Sequence, residues 1–510
     1  MTSVASAGSS NRGAITVCVI VATLMQALDT TIANVALPYM QGSVSATQDQ
    51  IGWVLTSYIA VAAIMTPPAG FLTARFGFKR VFLVSVGGFT LASVLCGIAQ
   101  SLTQIVLFRI LQGACGAALV PLSQSVLLTI YPKERQGFAM ALFGFGVMVG
   151  PVLGPVLGGW LTENYSWRYV FYINLPIGIL DLLAMSLFLP DPKPQGGEKL
   201  DWFGFGTLSV AIGALQIVLD RGEIKDWFSA GEILIETLVC GSALYLFLVH
   251  TFTSQRPFVR PGLFRDRNFT GGVIFIALVG LTYYASLALQ PPYLQNLMNY
   301  PVVSAGLVIG PRGIGTMAAM LVVGRLMGHL DIRLLLATGL GLTAWSFNAM
   351  THWTPEVSMM EVTRVTVVQG IGLGFFFVPL TAAALSTLPT EDRTNGAGVF
   401  NLARNMGSSI GISVVNALLT RNTQINHAAI AQHVVAVNRA LEDPAIRHFW
   451  DPSTAAGRAA LDGVVTRQAQ IIAYIDDYKL LLIAMLVAMP LLALFRGSAS
   501  GSAGAPVVAD

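Results

Sequence analysis

Charged side chains are scarce in this sequence of 510 residues. Only 11% are Asp, Glu, Lys or Arg, whereas soluble chains average about 25%. Hydrophobic residues make up 54% of the chain and the mean hydropathy is +0.67. A soluble domain needs polar groups over its exterior, so the composition excludes an ordinary soluble protein and favours one embedded in a lipid bilayer. The net charge of +3 is thinly spread and does not support nucleic acid binding.

Motifs for enzyme chemistry and metal binding are also absent from the sequence. The four cysteines lie inside apolar runs without a CxxC or Cys/His metal spacing, as expected of small buried side chains. No HExxH or phosphate-binding loop occurs. None of the six histidines falls near the centre of an apolar run, so a histidine proton relay is not expected. We expect no enzyme activity, no metal and no cofactor.

Long apolar runs divide the chain. A helix that crosses about 30 Å of hydrocarbon needs about 20 apolar residues, and these runs are of that length. The first run follows the short polar segment 1–13 and lacks a small-residue cleavage site, so we interpret it as a retained membrane helix. The sequence predicts an all-α membrane protein with fourteen spans, at 14–38, 52–74, 80–99, 104–131, 137–161, 168–190, 202–220, 231–252, 269–293, 302–328, 333–351, 359–386, 396–420 and 476–496.

Basic residues between the spans are concentrated on alternate sides, as in connectors 75–80 and 256–267. The positive-inside rule then places both termini in the cytoplasm. The segment 421–475, between the last two spans, is predicted to be an outside loop with an amphipathic stretch at 428–441. Two interpretations of this loop stay open, a docking surface for a periplasmic partner and a solvated cap over the helices.

Glycine recurs every fourth residue in the fifth predicted span, with two prolines between the glycines. The members of this stripe are Gly146, Gly150, Pro151, Gly154, Pro155 and Gly158. Residues four apart share one face of a helix, and glycine there lets a second backbone approach closely. Proline removes a backbone donor and permits bending. The stripe favours a moving interface between the halves of a rocking transporter, and ordinary close packing is the alternative.

A basic connector with two glycines joins the second and third predicted spans. It contains Gly70, Arg75, Gly77, Lys79 and Arg80. Gly77 permits a tight turn, and the cations can face helix C-termini or neighbouring acids. We interpret this connector as a gating element. Simple anchoring of the cytoplasmic side by positive charge is the alternative.

One acid, Asp29, lies deep in the first span, about 14 residues or ~21 Å from its start. A charge at mid-bilayer costs roughly 2.5–3.5 kcal/mol, and the neighbouring Thr30 and Asn34 indicate a wet or protein-lined surrounding. Arg109 and Gln112 lie in the outer half of the fourth span, at a similar depth. We hypothesise that Asp29 carries protons and interacts with Arg109. A static hydrogen bond for Asp29, and snorkelling of Arg109 to the surface, are the alternatives.

Four further charges lie within predicted spans or at their boundaries: Asp181, Arg312, Arg364 and Arg404. Asp181 has no evident partner, and the three arginines are candidates for joining helices or for contacting anionic substrates. A substrate cavity is expected near the midplane. The side chains predicted to line it are Thr30, Asn34, Tyr58, Gln112, Phe143, Tyr283, Tyr284 and Phe375.

These segments resemble the fourteen-helix drug:H⁺ antiporters of the major facilitator superfamily, and most of all the EmrB subgroup. Residues 28–38 (LDTTIANVALP) are similar to the signature of the first helix, and Arg109 with Gln112 to the motif of the fourth. Residues 150–159 resemble the antiporter motif of helix five. Residues 70–80 resemble the loop motif, except that Ala74 replaces its usual Asp. The resemblance covers nearly all of 15–496, including 167–178, 219–228, 292–295 and 304–311.

The resemblance implies two six-helix bundles, 14–190 and 269–496, a linker at 191–268 with two extra membrane helices, and a cytoplasmic tail at 497–510. It implies proton-driven efflux of lipophilic or amphipathic compounds from the bacterial inner membrane, with Asp29 protonatable and Arg109 its modulator. Proteins of that subgroup work with a periplasmic membrane-fusion adaptor and, through it, an outer-membrane channel. The alternatives are an exporter of one metabolite such as a fatty acid or siderophore, a proton symporter, and a membrane enzyme or scaffold.

Overall fold

A computed structural model describes residues 2–132, 135–190, 200–327, 329–389, 392–434, 450–451 and 453–495. Within these ranges all regular secondary structure is helical. A helix pairs its own backbone donors and acceptors, which is the requirement that lipid imposes on a spanning segment. Three predicted parts lie outside the described residues: 191–199 of the linker, 435–449 of the outside loop, and the tail 497–510.

The first bundle is built from six long segments, some of them divided into two helices. Its helices are α1 (Thr2–Ser43), α2 (Gln48–Ile51), α3 (Trp53–Met65), α4 (Ala69–Phe76), α5 (Phe78–Ile98), α6 (Leu102–Gly116), α7 (Leu119–Ile130), α8 (Gln136–Asn164), α9 (Tyr169–Tyr172) and α10 (Asn174–Phe188). Helix α1 packs against α7, α8 and α10, and α6 packs against α3 and α5. This packing places α1 in contact with helices from most of the bundle.

The second bundle repeats the pattern. Its helices are α13 (Arg267–Val279), α14 (Ala285–Pro292), α15 (Val302–Ile309), α16 (Pro311–Leu326), α17 (Ile332–Met350), α18 (Met359–Ser386), α19 (Arg393–Ala431) and α20 (Ala455–Ala488). Wider π-helical turns, Gly280–Tyr284 and Tyr293–Leu297, follow α13 and α14. The second π-turn comes directly after Pro291 and Pro292, which lack the amide hydrogen of a regular helix.

The two extra helices are α11 (Trp202–Arg221) and α12 (Gly231–Thr253). They lie between the two bundles in the sequence and pack on each other. Helix α11 contacts α3 of the first bundle and α19 of the second. Ser409 of α19 donates a hydrogen bond to Gln216 Oε1 of α11 at 2.8 Å. The linker is therefore attached to both bundles through α11.

In the described part of the chain, ten helical segments are long and apolar enough to cross a membrane, or eleven if α3 and α4 form one bent span. Each of the fourteen predicted spans coincides with a helix or a pair of successive helices. Helices α17, α19 and α20 are long, with 19, 39 and 34 residues, but are more polar. The multi-pass helical architecture is confirmed, and the count of fourteen crossings stays a prediction.

Much of the segment 421–475 is helical, and its position outside the membrane stays a prediction. Helix α19 continues to Ala431 and α20 begins at Ala455. Hydropathy marks only the part of a helix that is apolar enough for lipid, and it therefore ends a helix too early when polar residues continue it.

The predicted second span is bent rather than straight. Helices α3 and α4 meet at an angle of 56° around Pro67 and Pro68. Proline lacks an amide hydrogen and clashes with the preceding turn, which explains the break.

Candidate functional site

Asp29 lies on the face of α1 that is turned into the first bundle, and its side chain is fully buried. Met25 and Ala33, one turn before and one turn after it, are also fully buried, as the helical period requires. An acid on the buried face needs polar partners from other helices, because a lone buried charge is very costly. Three of the neighbouring side chains supply these partners.

Arg109 of α6 forms an ion pair with Asp29, with 2.5 Å between Nη1 and Oδ2. The other carboxylate oxygen, Oδ1, accepts hydrogen bonds from Gln112 Nε2 at 2.8 Å and from Asn174 Nδ2 at 3.0 Å. Charge-assisted hydrogen bonds of this kind are about twice as strong as neutral ones. The structure thus brings together the acid and the arginine that the sequence placed at similar depth. Their role in proton coupling stays a prediction.

The guanidinium of Arg109 is fully buried, which excludes snorkelling to the surface. Nε donates to the carbonyl of Val54 at 3.0 Å, and Nη1 donates to Gln112 Oε1 at 2.8 Å. The ring of Tyr58 lies 4.2 Å from the guanidinium carbon, a cation–π contact. Tyr58 therefore holds Arg109 instead of lining a substrate cavity, and its predicted role is corrected.

Two members of the cluster were missed by sequence reasoning. Asn174 opens α10, and besides contacting Asp29 it donates to Ser93 Oγ at 2.9 Å. Ser93 in turn donates to the carbonyl of Phe171 at 2.9 Å. Asn174 lies in the segment that resembles the start of the sixth family helix, and that resemblance was the only signal for it. Four helices, α1, α5, α6 and α10, therefore share one hydrogen-bonded network.

The glycine stripe of α8 packs against α1, within the first bundle. A Cβ atom on Gly150 would lie 2.6 Å from the carbonyl carbon of Ala27 and 2.7 Å from Leu28 N. On Gly154 it would meet the side chain of Thr31, whose hydroxyl donates to the carbonyl of Gly150 at 3.1 Å. The prediction that the stripe forms the interface between the halves is therefore corrected. Helix periodicity identifies a stripe but not the helix that it faces.

A different face of α8 meets the second bundle. A Cβ atom on Gly144 would lie 2.6 Å from Met320 Sδ, and one on Gly324 would lie 2.7 Å from the Ala141 side chain. Helix α8 therefore contacts α1 with one face and α16 with another. The remaining members of the predicted stripe, Gly146, Pro151, Pro155 and Gly158, lie within the continuous helix.

Substitution of Gly150 by Ala is expected to lower the stability of the protein by about 1–3 kcal/mol, because the added methyl group overpacks the α1 contact. Gly159 is the matched control on the same helix, since a Cβ atom there has no neighbour within 4 Å. Thermal unfolding of both purified variants in detergent measures the difference. Equal midpoints for Gly150→Ala and Gly159→Ala would contradict this packing.

The basic connector contains one required glycine. Gly77 has φ of 89°, a conformation that glycine adopts readily, and it separates α4 from α5. Lys79 donates to the carbonyl of Ser186 at 2.7 Å, whereas Arg75 and Arg80 are exposed. A Cβ atom on Gly70 would collide with Asn395 of α19. The connector therefore lies against the second bundle through Gly70.

Further contacts join the bundles at the same end. Ser125 and Thr394 share a hydrogen bond of 2.8 Å, and Arg393 Nη1 donates to the carbonyl of Leu128 at 2.8 Å. The two halves are therefore latched together where α7 ends and α19 begins. This latch consists of one bond between two hydroxyls and one bond from the Arg393 guanidinium to a carbonyl, and Ala74 adds no charge to it.

The other predicted charges have separate surroundings. Asp181 is buried on α10, and its Oδ2 has no hydrogen-bond partner among the described residues. Arg312 is buried and bonds to Gln369, whereas Arg364 is exposed and pairs with Glu361 at 3.6 Å. Arg404 of α19 is half-buried and contacts Asn405 at 3.5 Å. None of these four is part of the Asp29 cluster.

The predicted cavity residues are not assembled into one cavity. Phe143 is fully buried in the core, and Gln112 binds Asp29, so their cavity role is corrected. Thr30 donates to the carbonyl of Ala27 on its own helix, and Asn34 is exposed. Three aromatic candidates lie in the second bundle; Tyr283 is buried, and Tyr284 and Phe375 are half-buried. An open apolar groove of about 480 Å³ lies elsewhere, between α11 and α12, with the exposed side chains of Val210 and Leu238 in its lining.

Two helical bundles with a buried acid–arginine pair in one of them define a multi-pass membrane transporter. The profile of the Major Facilitator Superfamily matches residues 19–412, and the chain belongs to this family. Its members are transporters rather than enzymes.

The relatives of this chain include exporters. It is 35% identical over 427 residues to the multidrug export protein EmrB of Haemophilus influenzae, covering 83% of this chain and 84% of that protein. It is 36% identical over 457 residues to the fatty acid resistance protein FarB of Neisseria gonorrhoeae, covering 88% and 89%. The solved structure of the proton:xylose symporter XylE is similar in fold, with a TM-score of 0.62 at 14% identity over 96% of this chain and 100% of that one.

Proposed function

We propose that this protein exports lipophilic or amphipathic compounds in exchange for protons, and that Asp29 is the residue that binds the proton. The observation that carries the proposal is the ion pair between Asp29 and Arg109, which is fully buried and joins α1 to α6. A structural role alone does not require an ion pair here, because well-packed apolar side chains stabilise a buried site as well or better.

The geometry supports a coupling step at Asp29. A proton that binds Oδ2 displaces Arg109 Nη1 from it and removes the negative charge opposite the guanidinium. Arg109 then keeps its neutral partners, the Val54 carbonyl, Gln112 and the ring of Tyr58. Because α1 packs tightly against the glycines of α8, and α8 also contacts α16, a shift of α1 is passed to the interface between the bundles.

The substrate class rests on the relatives. EmrB is named for multidrug export and FarB for fatty acid resistance, and both cover most of this chain. Export of a fatty acid is therefore the second candidate function, and siderophore export and proton symport have less support. We also propose that this chain works with a periplasmic adaptor and an outer-membrane channel. We further propose that it lies in the bacterial inner membrane with both termini in the cytoplasm. The helical extensions of α19 and α20 are the surface we propose for the adaptor.

Proteoliposomes with an imposed pH gradient test the exchange. With an acidic lumen, an antiporter lets protons leave and accumulates substrate, here ethidium or oleic acid added outside. Two pH units supply about 2.7 kcal/mol per proton, enough for roughly 100-fold accumulation of a monovalent cation such as ethidium at one-to-one, electroneutral exchange. Protein-free liposomes and an ionophore that collapses the gradient are the controls. Accumulation only with an acidic exterior would instead identify a symporter.

A further inference from the structure

The second bundle contains a buried polar cluster of its own. Arg312 Nη1 of α16 donates to Gln369 Oε1 of α18 at 2.8 Å. Gln369 Nε2 donates to Ser286 Oγ at 2.8 Å, and Gln290 Nε2 donates to Gln369 Oε1 at 3.2 Å. These four side chains are at most 3% exposed. Gln369 occupies the fourth long helix of its bundle and is followed by glycine, as is Gln112 in the first bundle.

The two clusters differ in where the acid lies. In the first bundle the carboxylate is paired, whereas Arg312 makes no ion pair with a described residue and its Nη2 has no hydrogen-bond partner there. The acid of the second bundle is Asp477, on the last long helix, α20, where the first bundle has Asn174. It is 1% exposed, and neither of its carboxylate oxygens has a partner among the described residues.

Tyr474 and Tyr478, which flank Asp477 along α20, pack with aromatic side chains of other segments. The ring of Tyr293 lies 5.2 Å from that of Tyr474 and 6.5 Å from that of Tyr478, and Trp353 lies 5.9 Å from Tyr478. The hydroxyls of Tyr293 and Tyr478 are also buried without a described partner. An ionised carboxylate without a partner in such a place costs several kcal/mol.

The charged groups around Asp477 are few. On its own helix, Asp476 is partly exposed and pairs with Lys479 at 3.3 Å, and Arg467 donates to the carbonyl of Leu297. Glu356 interacts with Tyr293, and Arg312 is the cation contributed by α16. Tyr478 is close enough to interact electrostatically with both Asp477 and Arg312.

We propose that Asp477, buried in the second bundle with both carboxylate oxygens unpartnered among the described residues, is a second proton-binding site of this transporter. The O–H bond of Asp477 breaks and its proton passes to water admitted by an outward opening of the bundle, which leaves a carboxylate. The binding site itself rests on the geometry of the second bundle, and only its use in transport rests on the proposed function.

Infrared difference titration of the purified full-length protein in lipid nanodiscs tests the site without a substrate. We expect the wild-type protein to show a protonated-carboxyl band at neutral pH that Asp477→Asn lacks. Asp476→Asn is the matched control, because it removes the adjacent acid and should leave that band unchanged. Asp477→Glu should restore a band at a shifted position, which shows that the loss reflects a missing carboxyl and not misfolding.

A wild-type band that survives in Asp477→Asn would overturn the proposal, as would loss of the same band in Asp476→Asn. If Asp477→Asn does not fold, the Asp477→Glu variant decides the test. A folded Asp477→Glu protein without a shifted carboxyl band also overturns the proposal. Failure of the proposed export is recognised separately, because wild-type proteoliposomes would then accumulate no dye while the infrared bands still report on Asp477.

Discussion

Replacement of Asp29 by Asn is expected to abolish proton-driven export. The amide has nearly the shape of the carboxyl and can still bond to Gln112 and Asn174, but it neither binds nor releases a proton at physiological pH. Accumulation of ethidium in acid-lumen proteoliposomes should fall to the level of protein-free liposomes. Exchange of labelled for unlabelled dye without a pH gradient should persist, because substrate exchange needs no net proton movement.

Asp29→Glu is the conservative companion variant. It keeps a titratable group one methylene farther from the backbone, so we expect reduced but measurable proton-driven export. Size-exclusion profiles of both variants should match the wild type, which separates a coupling defect from misfolding. Normal ethidium accumulation by Asp29→Asn under a pH gradient would refute the assignment of the proton site.

Replacement of Arg109 by Leu should have the largest effect on stability among the arginine variants. It leaves Asp29 buried without its cation, and removal of one partner from a buried ion pair typically costs about 3–5 kcal/mol. It also removes the bond to Val54 and the contact with Tyr58. The unfolding midpoint of the purified protein in detergent should fall accordingly.

Arg364→Leu is the matched control for this change. Arg364 also pairs with an acid, Glu361, but its side chain is 67% exposed, and exposed pairs contribute about 0–1 kcal/mol. We expect the double variant Asp29→Asn with Arg109→Leu to recover part of the lost stability, because no unpaired charge then remains buried. Equal midpoints for Arg109→Leu and Arg364→Leu would show that the Asp29 pair lacks the energetic role assigned to it.

The connection between Asp29 and Arg109 could be predicted because depth in a membrane follows from counting residues along a helix. Two costly groups at similar depth have a strong reason to meet. The same counting gave no indication of Asn174 or Ser93, which are uncharged and are common at helix ends and in helix packing. Their place in the cluster depends on which faces of α5 and α10 point inward.

The glycine stripe also shows that a sequence pattern does not reveal which helix a face will contact. Its four-residue period could be recognised from the chain alone, but its assignment to the interface between the bundles was wrong, because a period does not specify the facing helix. The packing of α8 on α1 is decided by the close fit at Gly150 and Gly154. The helical extensions of α19 and α20 were missed because polar residues end a hydropathy signal without ending a helix.

The sequence by itself determined that the chain is a multi-pass helical membrane protein with an acid inside its first long helix. Those properties depend on the transfer of individual residues into lipid, which is a local quantity that accumulates along the chain. Only the tertiary structure decided that Asp29 is paired with a cation and that Asp477 has no partner among the described residues. Both side chains are buried acids, and whether a cation lies within hydrogen-bond distance depends on how separate helices rotate and pack against each other.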